Sequence, residues 1–151
     1  MQKIVYYNSP IGLMEIVGEQ DFISRVKFAK QITNETPDWE TGKRCAVQLD
    51  EYFAGKRQEF NLPLRPQGTD FQLSVWQALQ EIPFGKTLSY GEMARKIGNP
   101  KACRAVGGAN NRNPISIIIP CHRVVGANGS LTGYASGLDR KEFLLNLEKS
   151  Q

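Results

Sequence analysis

Residues 61–68, Asn61-Leu62-Pro63-Leu64-Arg65-Pro66-Gln67-Gly68, carry two prolines and a glycine. Proline lacks the N–H that a helix interior or a central strand needs, so no regular element is expected to run through this stretch. It reads as a linker. Upstream the chain reads as strands followed by one helix, and downstream it turns helical. We read two domains, residues 1–66 and 67–151.

The first domain begins as a set of strands. Lys3 to Tyr7 carries Ile4, Val5, Tyr6 and Tyr7, and Asn8-Ser9-Pro10 is a turn signal. Ile11 to Val17 predicts a second strand, with Leu13, Glu15 and Val17 on one face and Met14 and Ile16 on the other. Phe22 to Phe28 predicts a third, with Ile23, Val26 and Phe28 apolar. The connections are short, so the three form an antiparallel meander. Pro37 after Thr36 predicts a helix start. Cys45, Leu49, Tyr52 and Phe53 then fall at helical spacing, and Gly55 is a stop. Phe60-Asn61-Leu62 predicts one further short strand.

The second domain opens with helices. Thr69-x-x-Gln72 and Ser89-x-x-Glu92 have capping-box spacing, the first before Phe71, Val75, Trp76 and Leu79, the second opening Tyr90 to Ile97. Gly98-Asn99-Pro100 breaks that helix, and Lys101 to Ala109 reads as a third, rich in alanine and glycine. Two short helices split by a Gly-containing turn have the layout of a helix-turn-helix. Small side chains let a helix approach another backbone closely, either a neighbouring helix or the wall of a DNA groove. Ile115 to Ile119 predicts a buried strand or extended segment that leads into Pro120-Cys121 and continues through Val124-Val125. Asn128-Gly129 is a tight-turn signal. Strand–turn–strand after a helix-turn-helix is the plan of a winged helix. Gly133 to Gly137 is a loop, and Leu138 to Lys149 a last helix with Leu138, Phe143, Leu144 and Leu147 inward.

Chemistry concentrates at Cys121-His122, where one of three cysteines adjoins the single histidine. A thiolate is the effective nucleophile. A histidine can take its proton directly or through water. Neighbours on an extended segment point to opposite faces, so a water relay is the easier geometry. A base works better when a carboxylate orients it, and Glu148 fits by chemical type. An inert core cysteine is the competing reading for Cys121, and Cys45 and Cys103 read as small packing residues. An odd number of cysteines without paired spacing argues against a disulfide framework and for a reducing compartment. One histidine and no Cys-x-x-Cys leave little to build a zinc site from. Met1 to Tyr7 lacks a signal core, and every apolar run is too short to span a membrane. These features point to a cytoplasmic protein with no membrane anchor. The net charge of +4 is only mildly basic, but Lys86, Arg95, Lys96, Lys101, Arg104, Arg112 and Arg123 crowd one segment against Glu92 alone. That segment is a candidate phosphate-facing surface or an ordinary solvated face.

Pro120-Cys121-His122-Arg123-Val124, followed by Asn128-Gly129 and Gly133-Tyr134, resembles the active-site signature of the O6-alkylguanine-DNA alkyltransferases, also called methylated-DNA–protein-cysteine methyltransferases. The similarity runs from about Phe71 to Glu148. It takes in Ser89-Tyr90-Gly91-Glu92, Gly98-Asn99-Pro100-Lys101-Ala102, Arg104-Ala105-Val106-Gly107-Gly108-Ala109, Asn113-Pro114 and Lys141-Glu142-Leu144-Leu145, where Phe143 intervenes. In the first domain it rests on Ser9-Pro10-Ile11-Gly12. The resemblance implies an α/β fold of the α+β kind. A ribonuclease-H-like antiparallel sheet with a helix would precede a winged helix-turn-helix domain.

It also implies direct damage reversal. Cys121 would accept the alkyl group from O6-alkylguanine, with O4-alkylthymine a second candidate, once and irreversibly. By matching position, His122 is the water-mediated base, Glu148 its orienting carboxylate, Tyr90 the phenol that donates to the base, and Asn113 a buried hinge. The carbonyls of Cys121 and Val124 would accept from the guanine amino group, with Tyr134, Ala135 and Ser136 completing the pocket. Arg104 matches an arginine finger that fills the gap left by a flipped nucleotide. Its helix, with Lys101, Ala102, Ala105 and Gly107, would lie in the minor groove, with Tyr90, Arg112 and Arg123 as further DNA contacts. The implied partner is double-stranded DNA containing O6-alkylguanine. The protein would act as a monomer, without cofactor or metal, at the nucleoid if the cell is bacterial. Ala135-Ser136-Gly137 departs from the family's usual Ser-Gly-Gly or Ala-Gly-Gly, and Ser136 would narrow the pocket mouth. Two other classes fit parts of the sequence: a DNA-binding module without transfer activity, and a cysteine hydrolase.

Overall fold

The computed structural model describes residues 1–150, and the chain divides into two compact units, Met1–Gln67 and a second from Gly68 on. In the first, β1 (Lys3–Ser9), β2 (Gly12–Glu19) and β3 (Phe22–Phe28) form an antiparallel sheet in that order. The register sets Val5 opposite Ile16 and Ile16 opposite Val26, so one face carries a continuous apolar row. A bulge interrupts β2–β3 pairing at Val17/Gly18. Gly18 is required there, because a Cβ would stand 2.0 Å from the Phe22 carbonyl oxygen.

Helix α1 (Glu40–Phe53) covers that face with Cys45, Leu49 and Tyr52. It starts three residues later than Pro37 predicts. Thr36 is spent on the sheet, where its N–H donates to the Ile4 carbonyl and its Oγ1 accepts from the Ile4 N–H. Trp39 is the N-cap residue instead, buried against Gly42, with its indole N–H on the Glu19 carbonyl. Burial of the largest apolar side chain outweighs the local preference of proline for a first helical position.

The expected strand at residues 60–62 is absent. The Gln48 side chain takes both polar groups of Asn61, accepting from its N–H and donating to its carbonyl. The proline-rich stretch is tied down rather than loose. Ile23 donates to the Pro63 carbonyl at 2.8 Å and accepts from Arg65 N–H at 2.8 Å.

The second unit holds α2 (Asp70–Leu79), α3 (Tyr90–Lys96), α4 (Cys103–Asn111) and α5 (Leu138–Lys149). Both expected capping boxes form, at Thr69/Gln72 and Ser89/Glu92. The Trp76 indole N–H donates to the Ala109 carbonyl and ties α2 to α4. Helices α3 and α4 make the helix-turn-helix across Ile97–Ala102.

Three expectations for this unit change. Residues 115–119 are not a strand. Asn113 folds the segment on itself, donating from Nδ2 to the Ile115 and Ile119 carbonyls and accepting the Ile115 N–H on Oδ1. A side chain thus supplies what a ladder would have supplied. Ile117 sits at φ 71, a region that β-branched residues rarely enter.

The wing is also reduced. β5 (Val124–Val125) pairs in parallel with β4 (Leu88–Ser89), and the chain then turns through residues 126–130 without a hairpin ladder. Finally, α5 turns Lys141, Leu144, Leu145 and Glu148 inward, while Leu138 and Phe143 are exposed. No helix among the described residues is long and apolar enough to cross a membrane.

Candidate active site

Cys121, His122 and Arg123 form one 3-10 turn between Pro120 and β5. The turn is closed by hydrogen bonds from Cys121 N–H to the Ile119 carbonyl and from Arg123 N–H to the Pro120 carbonyl. The three side chains therefore fan out rather than alternate as on an extended segment. All three are buried, at 5%, 0% and 6% exposure.

Glu148, from the last turn of α5, meets two of them. His122 Nε2 lies 2.7 Å from Glu148 Oε2. Arg123 donates from Nε to Oε1 at 2.9 Å and from Nη2 to Oε2 at 3.0 Å. The Gly85 N–H adds a fourth contact, at 3.1 Å to Oε1. Burial works against an ionised Glu148, but the hydrogen bonds and charge from His122 and Arg123 win and hold its carboxyl far below the usual range. Burial pulls His122 down, with Arg123 and Lys141 adding to the effect against the opposing pull of Glu148, so the imidazole is neutral at neutral pH. A neutral imidazole beside a carboxylate must donate to it. The proton therefore sits on Nε2, and Nδ1 carries the lone pair. His122 Nδ1 is buried and has no protein hydrogen-bond partner among the described residues.

Other groups fix the walls. Asn110, at the end of α4, donates from Nδ2 to the Cys121 carbonyl at 3.2 Å. Lys141 is fully buried and donates from Nζ to the carbonyls of Val124 and Thr132, both at 2.6 Å. Burial lowers its pKa, and the charge of Cys121 opposes that shift. The Cys121 carbonyl accepts from the Val124 N–H as well as from Asn110. The Tyr134 hydroxyl is buried with no protein hydrogen-bond partner among the described residues, and burial, then the Cys121 charge, pushes its pKa well up. Tyr90 donates to the Thr132 carbonyl at 3.2 Å. Gly107 backs its ring, and a Cβ at Gly133 would stand 3.1 Å from its hydroxyl.

The sequence candidates thus separate. Cys121, His122, Glu148, Asn113, Val124 and Tyr134 lie together in the interior. Lys101, Arg104, Ala105 and Arg112 are exposed along α4 and its flanks, with Ala102 and Gly107 half-buried. Ala135 is exposed and Ser136 half-buried in the loop before α5. Arg123 does not belong with the surface arginines that were expected to meet DNA. Its guanidinium is sealed against Glu148 and the Ile82 carbonyl. Cys103 is exposed rather than packed, whereas Cys45 is buried and its thiol is pushed up to about 12 by burial. The sequence gives no role to Asn110, and none to Lys141 beyond its place in a matched segment. Lys141 shares the i, i+3, i+4, i+7 stripe of Leu144, Leu145 and Glu148, and the stripe carried that signal. Among the described residues no cluster of three or more His, Cys, Asp or Glu side chains could hold a metal ion.

Comparison with known proteins covers both units. Residues 3–66 match the model described as 6-O-methylguanine DNA methyltransferase, ribonuclease-like domain, and residues 70–150 match the DNA binding domain of the same name. A methylated-DNA–protein-cysteine methyltransferase of Methanosarcina acetivorans is 57% identical, over 95% of this chain and 96% of that protein. The crystal structure of Mycobacterium tuberculosis O6-methylguanine methyltransferase superposes with a TM-score of 0.90 at 47% identity, over 99% of this chain and 94% of that one. The Mycobacterium tuberculosis protein solved in complex with DNA does so with a TM-score of 0.89 at 48% identity, over 99% and 92% of the two chains.

Proposed function

The chain belongs to the 6-O-methylguanine DNA methyltransferase family, and on that premise we propose that it repairs DNA by taking the alkyl group from O6 of guanine onto Cys121. The observation that carries the reading is the buried His122–Glu148 contact beside that thiol, with the imidazole lone pair left on Nδ1.

The buried cluster supports the following steps. Nδ1 takes the thiol proton, directly or through one water, and Glu148 stabilises the imidazolium that forms. The thiolate attacks the alkyl carbon in line. The S–C bond forms as the C–O6 bond breaks, and that electron pair passes to the guanine. A proton returned to the base neutralises it, and Tyr90 at the rim is the donor that eases this step. The carbonyls of Cys121 and Val124 face the guanine amino group, and Ala135 N–H and the Tyr134 ring complete the pocket. Asn113 holds the turn that presents the sulfur. The product thioether is a poor leaving group, so each molecule reacts once. No step needs a cofactor.

A base inside a duplex cannot reach a buried thiol, so the lesion must be extruded. The run of small residues from Ala102 to Gly107 suits close approach of α4 to a minor groove, and exposed Arg104 is of a length to fill the gap. Lys101 and Arg112 supply phosphate contacts. Residues 1–66 serve as a supporting domain, and the cytoplasm, at the nucleoid in a bacterial cell, is where the protein works.

Incubation with duplex DNA bearing labelled O6-methylguanine tests this. Label transfer to protein should saturate at one methyl per molecule and vanish in Cys121→Ser. Arg104→Ala should slow transfer from duplex DNA more than reaction with the free base. Continued turnover would replace the reading with a hydrolase, and binding without transfer would replace it with a DNA-binding module.

A further inference from the structure

The cluster around Glu148 contains one charged group that the reaction scheme does not use. Arg123 counts as part of the basic segment in sequence, yet its side chain meets neither solvent nor a surface partner. Its Nε and Nη2 take the two oxygens of Glu148 at 2.9 and 3.0 Å, and its Nη1 donates to the Ile82 carbonyl at 2.7 Å. The Phe84 ring lies 5.7 Å from its guanidinium carbon. His122 Nε2 shares Oε2 with it, at 2.7 Å.

We propose that Arg123 is a positioning residue for alkyl transfer: by holding both oxygens of Glu148 it keeps that carboxylate ionised and His122 neutral with its proton on Nε2, leaving Nδ1 as the base for Cys121. The inference rests on the Cys121 reading above. The argument is one of charge in a dry site. Guanidinium and carboxylate already neutralise each other. A proton on His122 at rest would give the buried cluster a net positive charge, and lone positive charge in a low-dielectric interior is costly. Without Arg123 the same proton would instead pair with a lone carboxylate, and His122 would hold it. The other charged group acting on His122 is Lys141 on α5; Cys121, on the same turn as His122, faces Lys141 and Tyr134. The 82–85 segment contributes the Ile82 carbonyl and the Gly85 N–H. Lysine is not equivalent at this position. A point charge cannot engage two carboxylate oxygens and a third acceptor in one plane.

His122 is the single histidine of the chain, so its imidazole resonances need no assignment by elimination. We would record the imidazole 15N spectrum of the full chain against pH for the wild type, R123K and R123M. The single-turnover rate of methyl transfer from O6-methylguanine duplex would be measured over the same range. The wild type should show the neutral Nε2–H form at pH 7. In R123M the His122 titration and the acid limb of the rate profile should both rise by about one to three pH units. Once that limb passes neutrality, the rate at pH 7 should fall about tenfold per unit. R123K should fall between the two. An Nδ1–H or imidazolium form in the wild type at pH 7 overturns the proposal without any variant. So does an R123K protein, or an R123M protein that folds, whose titration and limb match the wild type while its rate or Tm drops uniformly, since that is the mark of a structural clasp. If the wild type puts no methyl on Cys121, the parent reading fails, and the spectra still report whether Arg123 sets the state of His122.

Discussion

The two units bury different kinds of side chain. In residues 1–67 the interior is apolar, and Gln48 is its one buried polar side chain, spent on the backbone of Asn61. From Gly68 on, Asn110, Asn113, Ser116, His122, Arg123, Lys141 and Glu148 are all buried. Burying such groups costs free energy unless every partner is supplied, and replacing them with apolar residues is often neutral or stabilising. The first unit is therefore organised by what folds well. The second accepts an interior that folds less well, a cost that the proposed reaction of the thiol it surrounds accounts for.

That contrast can be attacked from its strongest consequence down. Glu148→Ala leaves Arg123 and His122 buried without their carboxylate. We expect a loss of about 3–5 kcal/mol in stability, with slower methyl transfer per folded molecule, read by urea denaturation and single-turnover kinetics. Ile23→Ala, in the core of the first unit, should cost about 2–5 kcal/mol and leave the transfer rate of the folded fraction unchanged. Equal slowing in the two variants would break the distinction between the units.

Acid sharpens the same contrast. The pKa values of both His122 and Glu148 are lowered by folding. Below the unfolded histidine value of 6.5 the unfolded state binds more protons, so His122 subtracts stability as pH falls from there. Glu148 contributes stability that is complete above 4.5 and is lost as pH falls through its folded value. Hydrogen exchange should therefore show amides of α5 and the 121–125 segment losing protection below about pH 6.5 before those of β1–β3. Loss from the sheet first would contradict the charge-cluster account. The smallest expected effect is that of Cys103→Ser, which should change neither stability nor transfer.

How much was legible in sequence follows the same division. β1–β3 and both capping boxes are local patterns and were readable as such. The helix start at Pro37 was misread because burial of Trp39 is a tertiary fact. Residues 115–119 looked like a strand because four of the five are isoleucine, and what folds the segment is Asn113, whose hydrogen bonds no periodicity records. At the site, Cys121, His122 and Glu148 were singled out by chemical type and by resemblance. Arg123 was assigned to the DNA-facing surface because charge normally seeks water. Its carboxylate lies twenty-five residues away in sequence, and no local rule joins the two.

The most direct measurement is the location of the transferred methyl. Exposure alone favours Cys103, which is open to solvent, over Cys121, which is 5% exposed. After reaction with O6-methylguanine duplex, peptide mass spectrometry should find a single added methyl on the peptide containing Cys121. Cys45 and Cys103 should be unmodified. A methyl on Cys103, or one shared among the cysteines, would mean that accessibility chooses the acceptor, and the account of the buried cluster would be wrong.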